Sequence, residues 1–212
     1  MFGSMEIAVG QGDAAPAQPA GLRIGSDGER PTFLRLFRPR GTRVAVLASA
    51  MPAQLLAMRA ASAGAMVRVQ SPRPQAWGPV LQHGANVSVA PPGAGLPPPG
   101  TLSAPVLIVD DRPTEASGLG NAAPWQCRLD IRAVMSASDL GRLGSADVLI
   151  VGQLGAATAG VLARIMALPE SVSGSLTILG PGSVALVAKG TIHYVVLDPS
   201  PAEGQLLARG AR

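Results

Sequence analysis

Cysteine is almost missing from this chain of 212 residues: Cys127 stands alone, so no disulfide can form within it. A lone thiol fits a reducing compartment and excludes a stapled secreted scaffold. Lysine is equally scarce, with Lys189 the only one and every other basic residue an Arg. His83 and His193 are the two histidines and lie far apart. No Cys/His cluster for a metal can be drawn from them, and no Ser/His/Asp arrangement is visible. Without a neighbouring base, Cys127 reads as a plain thiol rather than a nucleophile. Aromatics make up 3% of the residues, so the core must be built from Val, Leu, Ile, Ala and Met. The same scarcity removes the stacking platform that single-stranded nucleic acid requires. No apolar run reaches the roughly 20 residues that span a bilayer. The first residues lack the basic start and long apolar stretch of a signal peptide. These absences point to a cytoplasmic protein.

What is present suits one domain with a sizeable core: the hydrophobic fraction is 47%. Gly and Pro are abundant, 26 and 20 residues, which implies many turns. Seventeen basic residues against 13 acidic ones leave a net charge of +4. Over this length that is a weak signal for nucleic acid or anionic lipid.

Along the chain, residues 1–21 read as a flexible segment and 22–212 as a single α/β domain with loops at 90–105 and 112–124. Strands are expected at Thr32–Phe37, Arg43–Ala48, Met66–Val69, Asn86–Val89 and Val106–Val109. Gln126–Val134 alternates polar and apolar residues and is expected as a strand, placed at an edge. Asp147–Val151 is a buried strand. Helices are expected at Pro52–Gly64, Pro74–His83, Ser138–Gly144, Ala156–Leu168 and Glu170–Leu179. In Ala156–Leu168 the apolar side comprises Val161, Leu162, Ile165 and Met166. Ser183–Ala188 and Thr191–Leu197 form a hairpin around Lys189-Gly190, and a short helical turn follows Pro201. Alternating strands and helices give a mostly parallel sheet flanked by helices, with a C-terminal β-hairpin. The segment APPGAGLPPPG (90–100) is a surface loop, with a PxxP ligand as the alternative. Trp77 and Trp125 are expected to pack beneath loops.

The string PVLIVDD is a buried strand ending in Asp110 and Asp111. Such a strand can hold a metal and polarise an attacking water, as a Walker B element does. Its partner would be a loop G-x-x-x-x-G-K-[ST], whose backbone N–H groups and Lys cradle phosphates. The matching step from RVAVLA to the next helix reads Ser49-Ala50-Met51-Pro52-Ala53-Gln54. It has no Gly and no Lys, and Pro52 removes a backbone donor. Asp110 and Asp111 therefore remain as catalytic candidates without a nucleotide to serve, and a capping or turn role is favoured. Arg35, Arg38, Arg40 and Arg43 surround the first turn and are candidates for binding an anion or an acidic partner. No cofactor or metal is expected.

The stretch LRIGSDGERPTFLRLFRPRGTRVAVLAS resembles the entry to motor ATPases of the FtsK/HerA type. There a Gly-containing lead and a strand precede the P-loop strand. SADVLIVGQLGAATAGVLARIMALPESVSGSLTILGPGSVALVAKGTIHYVVLDP resembles the end of that core: strand, helix with Ala-Arg, helix ending in Leu-Gly-Pro-Gly, hairpin. The run Arg59–Val67, within MRAASAGAMVRVQSPRPQAWGPVLQHGANVSVA, resembles the C-terminal cytosolic domain of EccE, a component of type VII (ESX) secretion systems. Together the likenesses cover residues 22–90 and 146–200. They imply a P-loop-ATPase-type core lacking its Walker A loop. The implied role is non-catalytic: contact with other secretion-complex proteins at the inner face of the cell membrane. EccE proteins carry N-terminal transmembrane helices and this sequence has none. Two other readings stay open. One is an unorthodox nucleotide-binding enzyme or sensor using Asp110 and Asp111. The other is a nucleic-acid-binding accessory factor, which the small net charge disfavours.

Overall fold

The structure, a computed structural model, describes residues 7–9, 21–91, 94–112, 121–132, 143 and 145–210. Eleven strands form one sheet. In chain order they are β1 (Ile7–Val9), β2 (Leu22–Asp27), β3 (Arg30–Leu34), β4 (Thr42–Leu47), β5 (Met66–Gln70), β6 (Val87–Ala90), β7 (Val106–Asp110), β8 (Gln126–Ile131), β9 (Val148–Val151), β10 (Ser183–Ala188) and β11 (Thr191–Leu197). Between them lie α1 (Met51–Ser62), a 3-10 turn (Pro74–Trp77) running into the short α2 (Gly78–Leu81), α3 (Ala156–Ile165) and α4 (Glu170–Thr177). A last helix, α5 (Pro201–Gly210), follows the sheet. Among the described residues no helix is long and apolar enough to cross a membrane.

The spatial order is β1-β3-β2-β11-β10-β9-β4-β8-β7-β5-β6. The six strands from β9 to β6 run parallel to one another. From β9 outward to β1 every pairing is antiparallel. The class is α/β, with a parallel block bearing an antiparallel wing. The apolar runs explain the block: β4, β7 and β9 are buried on both faces, as parallel strands covered by helices must be. One face packs α1, Trp77 and Val80 against Val44, Val46, Leu107, Leu129 and Ile150. The other packs α3 and α4 against Ala45, Leu47, Leu149, Ala185 and Val187.

Local chemistry sets the boundaries. Helix α1 ends in a Schellman cap: Ala65 N–H donates to Ala60 C=O, Gly64 N–H to Ala61 C=O, and Gly64 takes φ +87°. Gly28-Glu29 turns β2 into β3, with Gly28 at φ +61°. Strand β2 is not expected from the sequence, because Gly25, Ser26 and Asp27 are poor strand formers. Ile7–Val9, inside the segment read as flexible, pairs with β3. Strand β8 is not an edge strand. It lies between β4 and β7 with all six residues buried. Its alternating polar residues face a buried ion-pair network rather than water. Helix α3 buries Ala159, Leu162 and Ala163, while Ile165 is exposed. The expected helix at 138–144 falls outside the described residues except for Leu143, which is buried. The described part of the 90–105 loop is irregular and tied down: Gln126 Nε2 donates to the carbonyls of Pro97 and Pro98 at 3.0 and 2.7 Å.

The helical turn expected at Pro201 is a ten-residue helix. Ser200 and Glu203 form a capping box: Ser200 N–H donates to Glu203 Oε2 (2.7 Å) and Glu203 N–H to Ser200 Oγ (3.3 Å). Arg59 of α1 then grips Glu203 with two bonds of 2.9 Å and the Asp198 carbonyl with one of 2.8 Å. Burial alone would raise the Glu203 pKa, but the bonds from Arg59 and Ser200 outweigh it and hold the carboxyl below its ordinary value. A depressed carboxyl stabilises the fold above its unfolded pKa, and that contribution is lost as pH falls through the folded value. Hydrogen bonds to charged groups are worth about 1.5–3 kcal/mol. Glu203→Gln should therefore speed amide exchange across α5 by roughly tenfold or more while leaving β4 and β8 protected. Hydrogen-exchange mass spectrometry reads this directly. Equal exchange of α5 in the variant and the wild type would mean that other contacts, such as those of Leu206 and Leu207, hold the helix.

Candidate functional site

In an open α/β sheet, ligands gather at the carboxyl ends of the strands where successive helices leave for opposite faces. Here that point lies between β4 and β9, since α1 covers one face and α3 the other. A cleft of about 670 Å³ opens there. Its walls are the β4–α1 turn (Ser49, Met51, Pro52), Arg132 beyond β8, Gly152–Gly155 beyond β9, and Gly180–Ser183.

The cleft has the place of a phosphate site without its chemistry. The chain passes from β4 to α1 through Ala48, Ser49 and Ala50, with no glycine to let backbone amides wrap an anion. Pro52 carries no N–H and no Lys reaches the walls. Arg132 is the one cation among the lining residues. Its Nη1 donates to the carbonyls of Ile131 (3.0 Å) and Arg112 (3.3 Å), and its Nη2 lies 4.0 Å from Asp130.

Asp110, at the carboxyl end of β7, is fully buried and already bound. Arg112 Nε donates to its Oδ1 at 2.9 Å, Arg112 Nη2 to Oδ2 at 2.8 Å, and the Arg112 amide to Oδ1 at 3.1 Å. Arg128 Nη2 adds a fourth bond to Oδ2 at 2.6 Å. A carboxylate offers about four lone-pair sites, and these donors fill them. Burial would raise the Asp110 pKa, but Arg112 and Arg128 overcome it and hold the carboxyl below its ordinary value of 3.8. The group is ionised at neutral pH, and its acceptor positions are taken by these four donors.

Asp111 points away from Asp110 into a second knot. Its Oδ2 accepts from Ser71 Oγ (2.8 Å) and from the indole Nε1 of Trp77 (3.3 Å), and Arg73 pairs with Oδ1 at 3.2 Å. Trp77 is fully buried beneath this turn. Trp125 is half-buried just before β8, in the left-handed region at φ 55°. Asp111 therefore ties β7 to the β5–α2 connection, which is a structural task.

The arginines of the first turn do not reach the cleft. Three of them converge on Asp147, at the amino end of β9 and the opposite end of the strands. Arg38 Nη2 lies 3.1 Å and Arg40 Nη2 3.4 Å from Asp147 Oδ1, and the Arg43 amide donates to Oδ2 at 2.9 Å. Arg43 Nη1 also reaches Ser145 Oγ at 2.6 Å. The fourth, Arg35, is exposed and makes no ion pair among the described residues. The set expected to meet an acidic partner is thus mostly spent on the chain's own acid.

Cys127 is fully buried, and burial pushes its thiol pKa far up, so it stays protonated and inert. Ser62 Oγ and His83 Nε2 stand 2.7 Å apart on the surface, and no carboxylate among the described residues orients the ring. Among the described residues no group of His, Cys, Asp and Glu could hold a metal ion. Sequence reasoning missed Arg112, Arg128, Asp130 and Arg132. The available signal was charge at alternate positions of QCRLDIR, a strand with no solvent face to spend it on. No family model matches the chain, and no curated protein matches it.

Proposed function

We propose that this chain is a non-catalytic protein-interaction module on a P-loop-ATPase-type core that has lost phosphate binding. One observation carries the reading: Asp110, the residue at the place of a Walker B acid, has its acceptor positions filled by Arg112 and Arg128. The β4–α1 turn lacks the Gly and Lys that would bring a triphosphate to it. The element order supports the ancestral core. Strand β4 lies beside β9, the acid-ended β7 is one strand beyond β8, and β9 is followed by two helices, Leu179–Gly182 and the β10–β11 pair. The last part of that order, strand, two helices, Leu179–Gly182 and hairpin, is the succession implied by the likeness to FtsK/HerA motors. The resemblance of Arg59–Val67 to the C-terminal cytosolic domain of EccE supports a role for the module in a type VII secretion-like complex, at the cytoplasmic side of the membrane and among other secretion proteins.

Calorimetric titration with Mg-ATP, and with ADP in parallel, tests the core claim. The expected outcome is no heat and no shift in melting temperature at millimolar nucleotide. Binding in the micromolar range, which corresponds to about 8 kcal/mol, would overturn it and return Asp110 to the list of catalytic groups.

A further inference from the structure

Among the described residues, the helices on the second face of the sheet end before β11. Helices α3 and α4 cover β4, β9 and β10 there, while Ile192 of β11 is only partly packed. Beyond it Tyr194 and Val196, on the same side of the strand by two-residue spacing, are 37% and 55% exposed. Ile178, just past α4, is 79% exposed. These three side chains border a groove of about 370 Å³ between β11, the β2–β3 turn and the end of α4. The chain has a single tyrosine, and this surface is where it stands. A cluster of exposed Ile, Tyr and Val beside a groove is the composition of an interface core.

We propose that this face docks an amphipathic helix of a protein partner, with its apolar stripe in the groove and a basic residue against Asp27. The inference rests on the interaction-module reading and names its surface. Charge complementarity selects the occupant. Asp27 is the only charged residue lining the groove, and Glu29 stands exposed in the same turn. With Arg30 exposed opposite Asp27, two carboxylates against one guanidinium leave the turn net negative, which disfavours anionic lipid headgroups and favours Lys or Arg. A helix also completes the layer that α3 and α4 begin. Among the described residues a second copy of the chain offers no such stripe: its helices turn their apolar residues onto their own sheet, leaving isolated exposures such as Leu81 and Ile165.

The test uses the full chain and two fluorescent synthetic helices of about five turns. Both carry the same leucine stripe, one flanked by Lys and the other by Glu. Fluorescence anisotropy should give the Lys peptide at least about tenfold the affinity of the Glu peptide. Ile178→Asp, a surface change that leaves the core alone, should weaken it by about tenfold or more. Asp27→Lys should reverse the preference. Equal affinity for both peptides, or binding indifferent to Ile178→Asp, overturns the proposal. So does binding to phosphatidylglycerol vesicles, or dimerisation in sedimentation, that Ile178→Asp abolishes. Failure here and failure of the parent reading are separable. Nucleotide binding would remove the non-catalytic reading and leave the peptide result standing. Lost peptide selectivity in a chain that ignores nucleotide removes this surface alone.

Discussion

Arg128→Met should cost the protein roughly 3–5 kcal/mol, the usual consequence of stripping one partner from a buried ion pair. Arg128 is 1% exposed, and its Nε and Nη2 bind Asp130 at 2.9 Å and Asp110 at 2.6 Å. Without the guanidinium, two carboxylates in the sheet interior lose a hydrogen-bonded partner. Arg112 can neutralise Asp110, but Arg132 lies 4.0 Å from Asp130 and serves it poorly. Asp110→Asn should also destabilise, because it leaves Arg112 and Arg128 facing a neutral group. The sign of that second result separates two views of Asp110. A carboxylate held ready for a metal is a strained luxury of the fold, and neutralising it commonly stabilises. A carboxylate that anchors the fold does the reverse. Denaturant titration of both variants measures the effect, and a double-mutant cycle with Asp110→Leu gives the coupling. The acid dependence follows from the depressed Asp110 pKa. Its stabilising contribution is complete above 3.8 and is lost as pH falls through the lower folded value. The gap between wild type and Asp110→Asn should therefore narrow in strong acid. A gap that persists unchanged would assign the stabilisation elsewhere.

How far the sequence can be read follows from the range of each interaction. Strands β4, β7 and β9 are legible because continuous Val, Leu and Ile runs have few other uses in a short segment. Helix α1 is legible from Pro52 at its start and Gly64 after its end. Asp110 is visible as an acid closing an apolar strand. Its buried partner is not: Arg112 lies two residues on, but Arg128 lies 18 residues away. Only the parallel register, with Asp110 opposite Asp130 and Ile108 opposite Arg128, brings that guanidinium within reach. The arginine cluster is likewise visible as a cluster, while its hub Asp147 lies 104 residues beyond Arg43. Alternation in β8 misleads for a related reason. Period-two polarity means one wet face only if the charges on that face lack partners, and Arg128 and Asp130 supply each other. The groove at β11 leaves no mark in sequence, because Ile178 and Val196 look like core residues until the layer above them is found to end.

Gly25→Ala should detach β2 and β3, the outer part of the antiparallel wing, with a loss of roughly 3 kcal/mol or more, at the upper end of overpacking costs. A Cβ at this position would stand 2.1 Å from the carbonyl oxygen of Val196 and 2.7 Å from Val195 Cγ1. The first obstacle is backbone of a neighbouring strand, so no rotamer change relieves it. The ladder between β2 and β11 registers only at Val196↔Ser26 and Leu197↔Gly25, which leaves little pairing to resist the push. Gly28→Ala, three residues on, is the control. It takes φ +61° but has nothing within 4 Å of its Cβ position, so it should cost only about 1 kcal/mol through backbone strain. Amide exchange should then show residues 22–34 opening in Gly25→Ala while β4, β7 and β8 remain protected. Because Asp27 and Val196 line the same groove, this variant should also lose the Lys-flanked peptide although neither contact residue is changed. If instead the whole sheet melts in one transition, the wing and the parallel block are a single cooperative unit. Ile24 and Leu34, which share the core with α1, would then be what binds them together, rather than the two-residue ladder.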